Sequence, residues 1–149
     1  MSQPRPTPYP FLALINDIEQ GRIKIPQFQR DFVWTLEKCA DLLDSIVKEY
    51  PIGSFIFWKT KERLRSVRNI GGDTLPDTED GDYVNYILDG QQRVTSIYAS
   101  IKGLRAVKRN DGKLEDFSKI YVNLSAKEDD KIITIETNNI DSSTLGLTE

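Results

Sequence analysis

The spacing of apolar residues along the chain predicts three helices. In each of three segments an apolar residue recurs every three or four positions, as one face of a helix requires. The segments are 11–18, 36–50 and 94–101. Thr35 stands where it can cap the second helix, and Pro51 stands where that helix must end. Gly21 and Gly103 follow the other two segments, at positions where helices commonly stop.

Runs of β-branched and aromatic residues predict strands among these helices. The predicted strands are 22–26, 53–59, 83–88, a pair around a turn at 110–112, and 131–136. The strand at 53–59 is apolar over most of its length, so we expect it to be central in a sheet. The order of helices and strands predicts a mixed α/β (α+β) fold with a small sheet.

Three further segments lack a hydrophobic period. Residues 60–82 are polar and rich in glycine and proline, which predicts a long, mobile loop. Residues 1–10 are expected to form a flexible N-terminal lead, and residues 137–149 a polar tail. The remaining chain, 11–136, is long enough to bury one core and is expected to be one domain.

The composition excludes several kinds of chemistry. The sequence contains no histidine, so catalytic triads and metal sites that need an imidazole are excluded. Cys39 lies on the apolar face of the second predicted helix, so we expect a buried thiol and no nucleophile. A single cysteine gives no disulfide framework, which indicates a cytoplasmic protein. No apolar run reaches the roughly 20 residues that a membrane span needs.

The charge is distributed unevenly along the chain. The net charge is −3, which argues against a surface that is positive everywhere for DNA. The first 75 residues carry 11 basic and 9 acidic side chains, and the other residues carry 9 and 14. The basic excess lies mostly in the run KTKERLRSVR at 59–68. Such a run is either an ordinary solvated surface or a contact surface for nucleic acid.

The stretch DGQQR joins a predicted strand to a predicted helix and offers a site for an anion. N–H groups in the first turn of a helix have no intrahelical acceptor, and the helix dipole attracts negative charge there. Gly90 would let a phosphate approach, Gln91 and Gln92 could add donors, and Arg93 could reach the same anion. Asp89 would hold a phosphate through Mg²⁺. The alternative is a plain corner in which Asp89 caps the helix.

The stretch IPQFQRDFVW precedes the second predicted helix and repeats the Gln–Arg pairing. Gln29 and Arg30 follow a short predicted strand here. If this strand and the one before Asp89 are neighbours in a sheet, Arg30 and Arg93 can face one pocket. The alternative is an ordinary loop whose aromatic residues fill the core. Those aromatic residues are Phe28, Phe32 and Trp34.

These two stretches, with LLDSIVKEYPIGSFIFWK between them, resemble the N-terminal domain of GmrSD-type, modification-dependent restriction endonucleases. The resemblance runs from about Leu12 to Leu104 and is not found within 60–82. It implies a ParB/sulfiredoxin-like fold in which a small mixed sheet is flanked by helices. It also implies a regulatory domain that binds and hydrolyses NTP in a bacterial anti-phage defence protein.

The resemblance further implies roles for individual residues. The implied catalytic residues are Asp89, Gln91, Gln92 and Arg93, with Asp89 also binding Mg²⁺. The implied nucleotide-binding residues are Gln29, Arg30, Gly90, Gln91 and Arg93. In the family a separate C-terminal part cuts DNA with a histidine-containing motif. Because this chain has no histidine, we expect it to be truncated before that part and to have no nuclease activity. Modified DNA and the missing nuclease part are therefore implied partners of the full-length protein.

Two other functions remain open from the residues alone. The first is a ParB-like module that binds DNA or senses its modification and hydrolyses nothing. The second is a protein-interaction scaffold in which DGQQR is only a structural corner.

Overall fold

The computed structural model describes residues 3, 5–72 and 74–135. Over these residues the chain forms three α-helices, two short 3-10 turns and eight strands, which confirms the predicted α+β class. The helices are α1 (Phe11–Glu19), α2 (Leu36–Val47) and α3 (Gln91–Lys102). The strands are β1 (Ile23–Pro26), β2 (Ile56–Thr60), β3 (Val67–Arg68), β4 (Val84–Asp89), β5 (Val107–Lys108), β6 (Leu114–Glu115), β7 (Ile120–Val122) and β8 (Ile133–Ile135).

The helix ends follow from the residues beside them. The Thr35 hydroxyl accepts a hydrogen bond from the Lys38 N–H at 3.3 Å and so caps α2. Gly103 follows α3 with φ of +62°, a left-handed conformation that glycine adopts without steric cost. The three helices predicted from apolar spacing are therefore confirmed.

The main sheet has four strands in the order β2–β4–β1–β3. Its two inner strands, β1 and β4, run parallel with Ile23 opposite Asn85. Strand β2 pairs antiparallel with β4 alone, so the prediction that it is central is wrong. Trp58 of β2 keeps 37% of its surface exposed while its ring packs against Tyr86 at 5.7 Å. An aromatic side chain can therefore cover an edge strand without that strand being buried on both sides.

Two apolar clusters hold the helices against the sheet. The larger cluster joins α1, β1, β4 and α3 and includes the fully buried Ile18, Ile23 and Ile87. The smaller cluster lies under the C-terminal hairpins and contains Cys39, which is fully buried. Burial raises the pKa of the Cys39 thiol to about 11, and its sulfur lies 3.1 Å from the Ser96 hydroxyl. The prediction of a buried cysteine is therefore confirmed.

The segment 60–82 is less irregular than its composition suggests. It contains β3 and a 3-10 turn (Ile70–Gly72), and Ile70 is fully buried. The buried Lys24 ammonium donates to the Asn69 side chain at 2.6 Å and to the Pro76 carbonyl at 2.8 Å. The prediction of one long loop is thus wrong in its middle, where a buried isoleucine and a buried lysine fix the backbone. Its mobility stays a prediction.

Two short hairpins follow α3. Strands β5 and β6 pair antiparallel around residues 109–113, which confirms the predicted turn at 110–112. Strands β7 and β8 form the second hairpin. The β8 strand lies within the predicted strand 131–136, whereas residue 136 and the predicted tail 137–149 fall outside the described residues. In the predicted lead 1–10, Tyr9 donates a hydrogen bond to Asp17 of α1.

The buried Asp44 carboxylate attaches the second hairpin to α2. It accepts hydrogen bonds from the N–H groups of Ile132 at 2.7 Å and Ile133 at 3.0 Å. Lys48 lies 2.9 Å away on the next turn of the helix. Burial alone would raise the pKa of Asp44, but these donors outweigh burial and hold the pKa below its ordinary value. The carboxylate therefore stabilises the fold in its charged form.

Replacing Asp44 by Asn should lower the free energy of unfolding by about 1–3 kcal/mol, because charge-assisted bonds to a buried acceptor are lost. Since the folded pKa lies below the ordinary value, this stabilisation should be complete above about pH 4 and should decline as the pH falls through the folded pKa. Urea unfolding at several pH values measures both effects. The control is Asp41→Asn on the same helix, whose ion pair with Lys131 is exposed. Equal losses in the two variants would contradict the assigned role.

Candidate functional site

Pairing of β1 with β4 places the two polar stretches side by side. Because the strands are parallel neighbours, both lead out of the same edge of the sheet. Strand β1 is followed by the loop 29–33, and β4 is followed by Gly90 and α3. The strands that precede Gln29 and Gly90 were required to be neighbours in one sheet, and β1 and β4 are neighbours.

Side-chain amides of the DGQQR stretch bind the main chain of loop 29–33. The Gln91 amide nitrogen donates to the Arg30 carbonyl at 2.5 Å. The Gln92 amide nitrogen donates to the Asp31 carbonyl at 3.0 Å, and its oxygen accepts from the Val33 N–H at 2.9 Å. Gln91 and Gln92 are only 5% and 6% exposed. Both glutamines are therefore committed to the protein's own backbone in this conformation.

Gln29 connects loop 29–33 to the end of strand β4. Its amide nitrogen donates to the Leu88 carbonyl at the end of β4, 3.1 Å away. Together Gln29, Gln91 and Gln92 form a set of bonds that we call the glutamine clasp. Arg68 of β3 adds bonds to the carbonyls of Gln29 and Arg30 and pairs with Asp31. Loop 29–33 is thus held from two sides.

Arg93 lies against the segment that follows α2. Its guanidinium donates to the Ile52 carbonyl at 2.6 Å and to the Ser54 carbonyl at 2.8 Å. The guanidinium carbon also lies over the Phe55 ring, 4.8 Å from the ring centre. The Arg30 side chain is exposed on loop 29–33. Arg93 binds the protein's own carbonyls here, and a pocket shared by Arg30 and Arg93 stays a prediction.

Position 90 requires a glycine because of its backbone conformation and the side chains beside it. Its φ is +92°, which residues with a side chain rarely adopt. A Cβ atom here would lie 2.6 Å from the Phe55 ring and 3.2 Å from the Arg93 guanidinium. The missing side chain therefore makes room for Phe55 and Arg93. The close approach of a phosphate to the Gly90 backbone stays a prediction.

The first turn of α3 keeps main-chain donors that the helix does not use. No side chain caps the helix, so the capping role considered for Asp89 is wrong. The first intrahelical bond runs from the Val94 N–H to the Gly90 carbonyl at 3.0 Å. The N–H groups of the three preceding residues have no intrahelical acceptor. These N–H groups can therefore donate hydrogen bonds to the oxygen atoms of an anion.

Asp89 offers a single carboxylate beside that helix start. Its side chain is 64% exposed, and one oxygen lies 3.8 Å from the Arg93 guanidinium. Within residues 3, 5–72 and 74–135, no three acidic or cysteine side chains group together to hold a metal ion. Mg²⁺ commonly takes one or two carboxylates and completes its shell with phosphate and water. Asp89 therefore fits a Mg²⁺ ion that arrives with a nucleotide.

A cavity of about 610 Å³ lies on another side of α3. Gln91 and Thr95 of the helix line it, together with Arg68, Gly71, Gly72 and residues 106–110. No motif in the sequence pointed to this cavity. The basic run 59–68 was the one signal that included Arg68, and no pattern connected it with Thr95 or Arg109.

The family model described as "GmrSD restriction endonuclease, N-terminal domain" matches residues 11–148. The chain belongs to this family. As a GmrSD N-terminal domain it is also similar to the uncharacterized protein MJ0686 of Methanocaldococcus jannaschii, with 31% identity over 94 residues. That match covers 60% of this chain and 16% of the relative, so the chain spans about a sixth of that protein's length. No solved structure matches this GmrSD N-terminal domain, and its ParB-like ancestry stays a prediction.

Among the described helices none is long and apolar enough to cross a bilayer.

Replacing Gln92 by Glu should test the glutamine clasp. A carboxylate can still accept from the Val33 N–H but cannot donate to the Asp31 carbonyl, so two acceptors would face each other in a buried place. We expect a loss of about 1–3 kcal/mol in the free energy of unfolding, measured in urea at pH 7. Gln27→Glu changes an exposed glutamine near the same loop and serves as the control. If Q92E and Q27E unfold alike, the clasp does not stabilise the domain.

Proposed function

We propose that this domain binds an NTP and hydrolyses it, and thereby regulates a restriction system. The phosphates would bind at the N-terminus of α3. The observation that carries the proposal is the uncapped first turn of α3, which follows directly on a left-handed Gly90 at the sheet edge. Membership in the GmrSD N-terminal family supports a role in restriction. Modified DNA and a nuclease part are the partners that we propose for the full-length protein.

The glutamine clasp supports this proposal by fixing the helix start. Gln91 and Gln92 direct their side chains to loop 29–33, while their N–H groups stay at the helix end. Donors whose orientation is fixed before binding need no reorganisation when a charged ligand arrives. We therefore assign Gln91 and Gln92 a positioning role. The direct catalytic roles predicted for them would require the clasp to open.

Arg93 is the residue that we propose neutralises phosphate charge. Its present acceptors are the neutral carbonyls of Ile52 and Ser54. A phosphate oxygen is a stronger acceptor because it carries charge, so exchange of one carbonyl for a phosphate is favourable. On the other side, the exposed Arg30 would contact the same ligand from loop 29–33, which Gln29 holds beside β4.

Asp89 is the residue that we propose orients the attacking water. Its carboxylate is exposed, whereas the two glutamine amides beside it are engaged. In hydrolysis the water oxygen bonds to the γ-phosphorus while the bond from that phosphorus to its bridging oxygen breaks and the nucleoside diphosphate leaves. A proton of the water passes to a base. Since the chain has no histidine, a carboxylate is the available base. Bound Mg²⁺, with Asp89 as one ligand, would supply charge neutralisation.

Replacing Arg93 by Ala should weaken NTP binding about 10- to 100-fold, because a charged donor to phosphate is lost. Calorimetry with each of the four common NTPs and Mg²⁺ measures the affinity. Arg105→Ala, an exposed arginine after the same helix, is the control. Urea unfolding of R93A measures the stability that is lost with the bonds to residues 52–54. A loss of affinity in a protein that is still folded can then be assigned to binding. Unchanged affinity in a folded R93A protein would contradict the proposed site.

Replacing Asp89 by Asn should reduce NTP hydrolysis at least about 100-fold, because the base is lost. NTP binding without Mg²⁺ should be retained, since the side chain is 64% exposed and a carboxylate is not a donor to phosphate. Phosphate release under single-turnover conditions measures hydrolysis. Asp129→Asn, which alters an exposed carboxylate in the second hairpin, is the control. Hydrolysis by D89N at the wild-type rate would show that Asp89 is not the base.

A DNA-binding module without hydrolysis is the second candidate function. The observation in its favour is an exposed basic flank in which the ammonium groups of Lys59 and Lys61 each lie 5.0 Å from the Tyr83 ring. Binding of duplex DNA in the absence of nucleotide, weakening steeply with salt, would favour this function.

A further inference from the structure

The cavity beside α3 is bordered by elements from four parts of the chain. Thr95 and Gln91 line it from the helix, and Arg68, Gly71 and Gly72 line it from the segment after β2. Asp31 and Phe32 contribute from loop 29–33, and residues 106–110 from the first hairpin. The Asn110 N–H donates to the Phe32 carbonyl at 2.8 Å, which ties that hairpin to loop 29–33. At about 610 Å³ the cavity has the size of a small-molecule site.

Unpaired polar atoms are concentrated at this cavity. Across the described residues, three buried side-chain nitrogen or oxygen atoms have no hydrogen-bond partner: Arg68 Nε, Thr95 Oγ1 and Arg109 Nε. All three belong to residues that line the cavity. Thr95 is 1% exposed, so its hydroxyl has no access to bulk water. Buried polar atoms are nearly always paired, and three exceptions at one cavity indicate a site for a ligand.

The chemistry of these atoms specifies what the ligand must present. An arginine Nε–H can only donate, so the ligand must offer hydrogen-bond acceptors. Arg68, Lys108 and Arg109 line the cavity, against one carboxylate from Asp31. Glu115 and Asp111 bind the other nitrogens of Arg109, each at 2.6 Å. They hold its guanidinium in place, and Asp31 pairs with Arg68, so carboxylates already offset the charge of both arginines and the ligand is specified by the hydrogen-bond acceptors that it offers.

We propose that this cavity is a second ligand site, for a small phosphate-bearing molecule. Phosphate oxygens are acceptors without donors and suit the planar arginine groups. The cavity is bordered by the helix, loop 29–33 and the first hairpin, and its volume of about 610 Å³ suits a small molecule. The site is separate from Arg93 and Asp89, which do not line the cavity. The inference therefore does not depend on NTP binding at the start of α3.

The same residues connect this site with the glutamine clasp. Gln91 lines the cavity and also binds the Arg30 carbonyl. Arg68 lines it and binds the carbonyls of Gln29 and Arg30. A phosphate-bearing molecule held here would contact residues that fix loop 29–33.

Titration with inorganic phosphate and with pyrophosphate, followed by ¹H–¹⁵N NMR of the 149-residue chain, tests the inference. Gly71 and Gly72 report on the cavity, whereas Gly53 and Gly90 report on the start of α3. We expect saturable shifts of Gly71 and Gly72, and we expect them to persist in the Arg93→Ala variant. Shifts confined to Gly53 and Gly90 would overturn the inference while leaving the NTP proposal intact.

Two substitutions at Thr95 sharpen the test. Thr95→Val keeps the shape and removes the unpaired hydroxyl, so the protein should stay folded while phosphate affinity at the cavity falls about tenfold. Thr95→Ser keeps the hydroxyl and should retain the wild-type affinity within about twofold. Equal affinity of T95V and wild type would overturn the inference. So would tighter binding of a single-stranded oligonucleotide than of pyrophosphate at Gly71 and Gly72.

Discussion

The arrangement of the domain depends on how loop 29–33 satisfies its backbone polar groups. This loop leaves the sheet beside β4 and packs against α3, where an unpaired N–H or carbonyl would cost about 1–3 kcal/mol. Glutamine carries a donor and an acceptor in one planar group. Gln92 uses both, toward Asp31 and Val33, and Gln91 supplies a donor to Arg30. Two adjacent glutamines at a strand–helix corner therefore have a physical reason beyond forming a turn.

The same constraint fixes the geometry of the corner. With Gln29 bonded to Leu88 and the other two glutamines bonded to the loop, the start of α3 cannot rotate independently of β1 and β4. Arg93 fastens the opposite side to the segment after α2. The main-chain donors of the first turn are thus held in a fixed direction. A fixed set of donors is what recognition of a phosphate group requires.

Local features of the chain were predictable from sequence, and contacts between distant segments were not. The stripe of apolar residues and the Thr35 cap predict α2 because both depend on neighbours within one helix. The sequence did not reveal that β2 is an edge strand. The same apolar run is expected in a strand covered by aromatic rings and in a strand paired on both sides. The sequence identified Gln91 and Gln92 as functional residues. It could not distinguish a bond to loop carbonyls from a bond to phosphate, because the residues that the glutamines bind lie about 60 positions away along the chain. Arg68 was marked only as part of the basic run 59–68, and Thr95 belonged to no pattern, since only the fold places the two residues at one cavity.

The most direct measurement is a crystal structure of the chain with a non-hydrolysable NTP analogue and Mg²⁺. We expect phosphate oxygens about 2.7–3.2 Å from the N–H groups of Gln91, Gln92 and Arg93, with the glutamine clasp unchanged. A nucleotide bound elsewhere, or first-turn N–H groups that face away from its phosphates, would contradict phosphate binding at the start of α3.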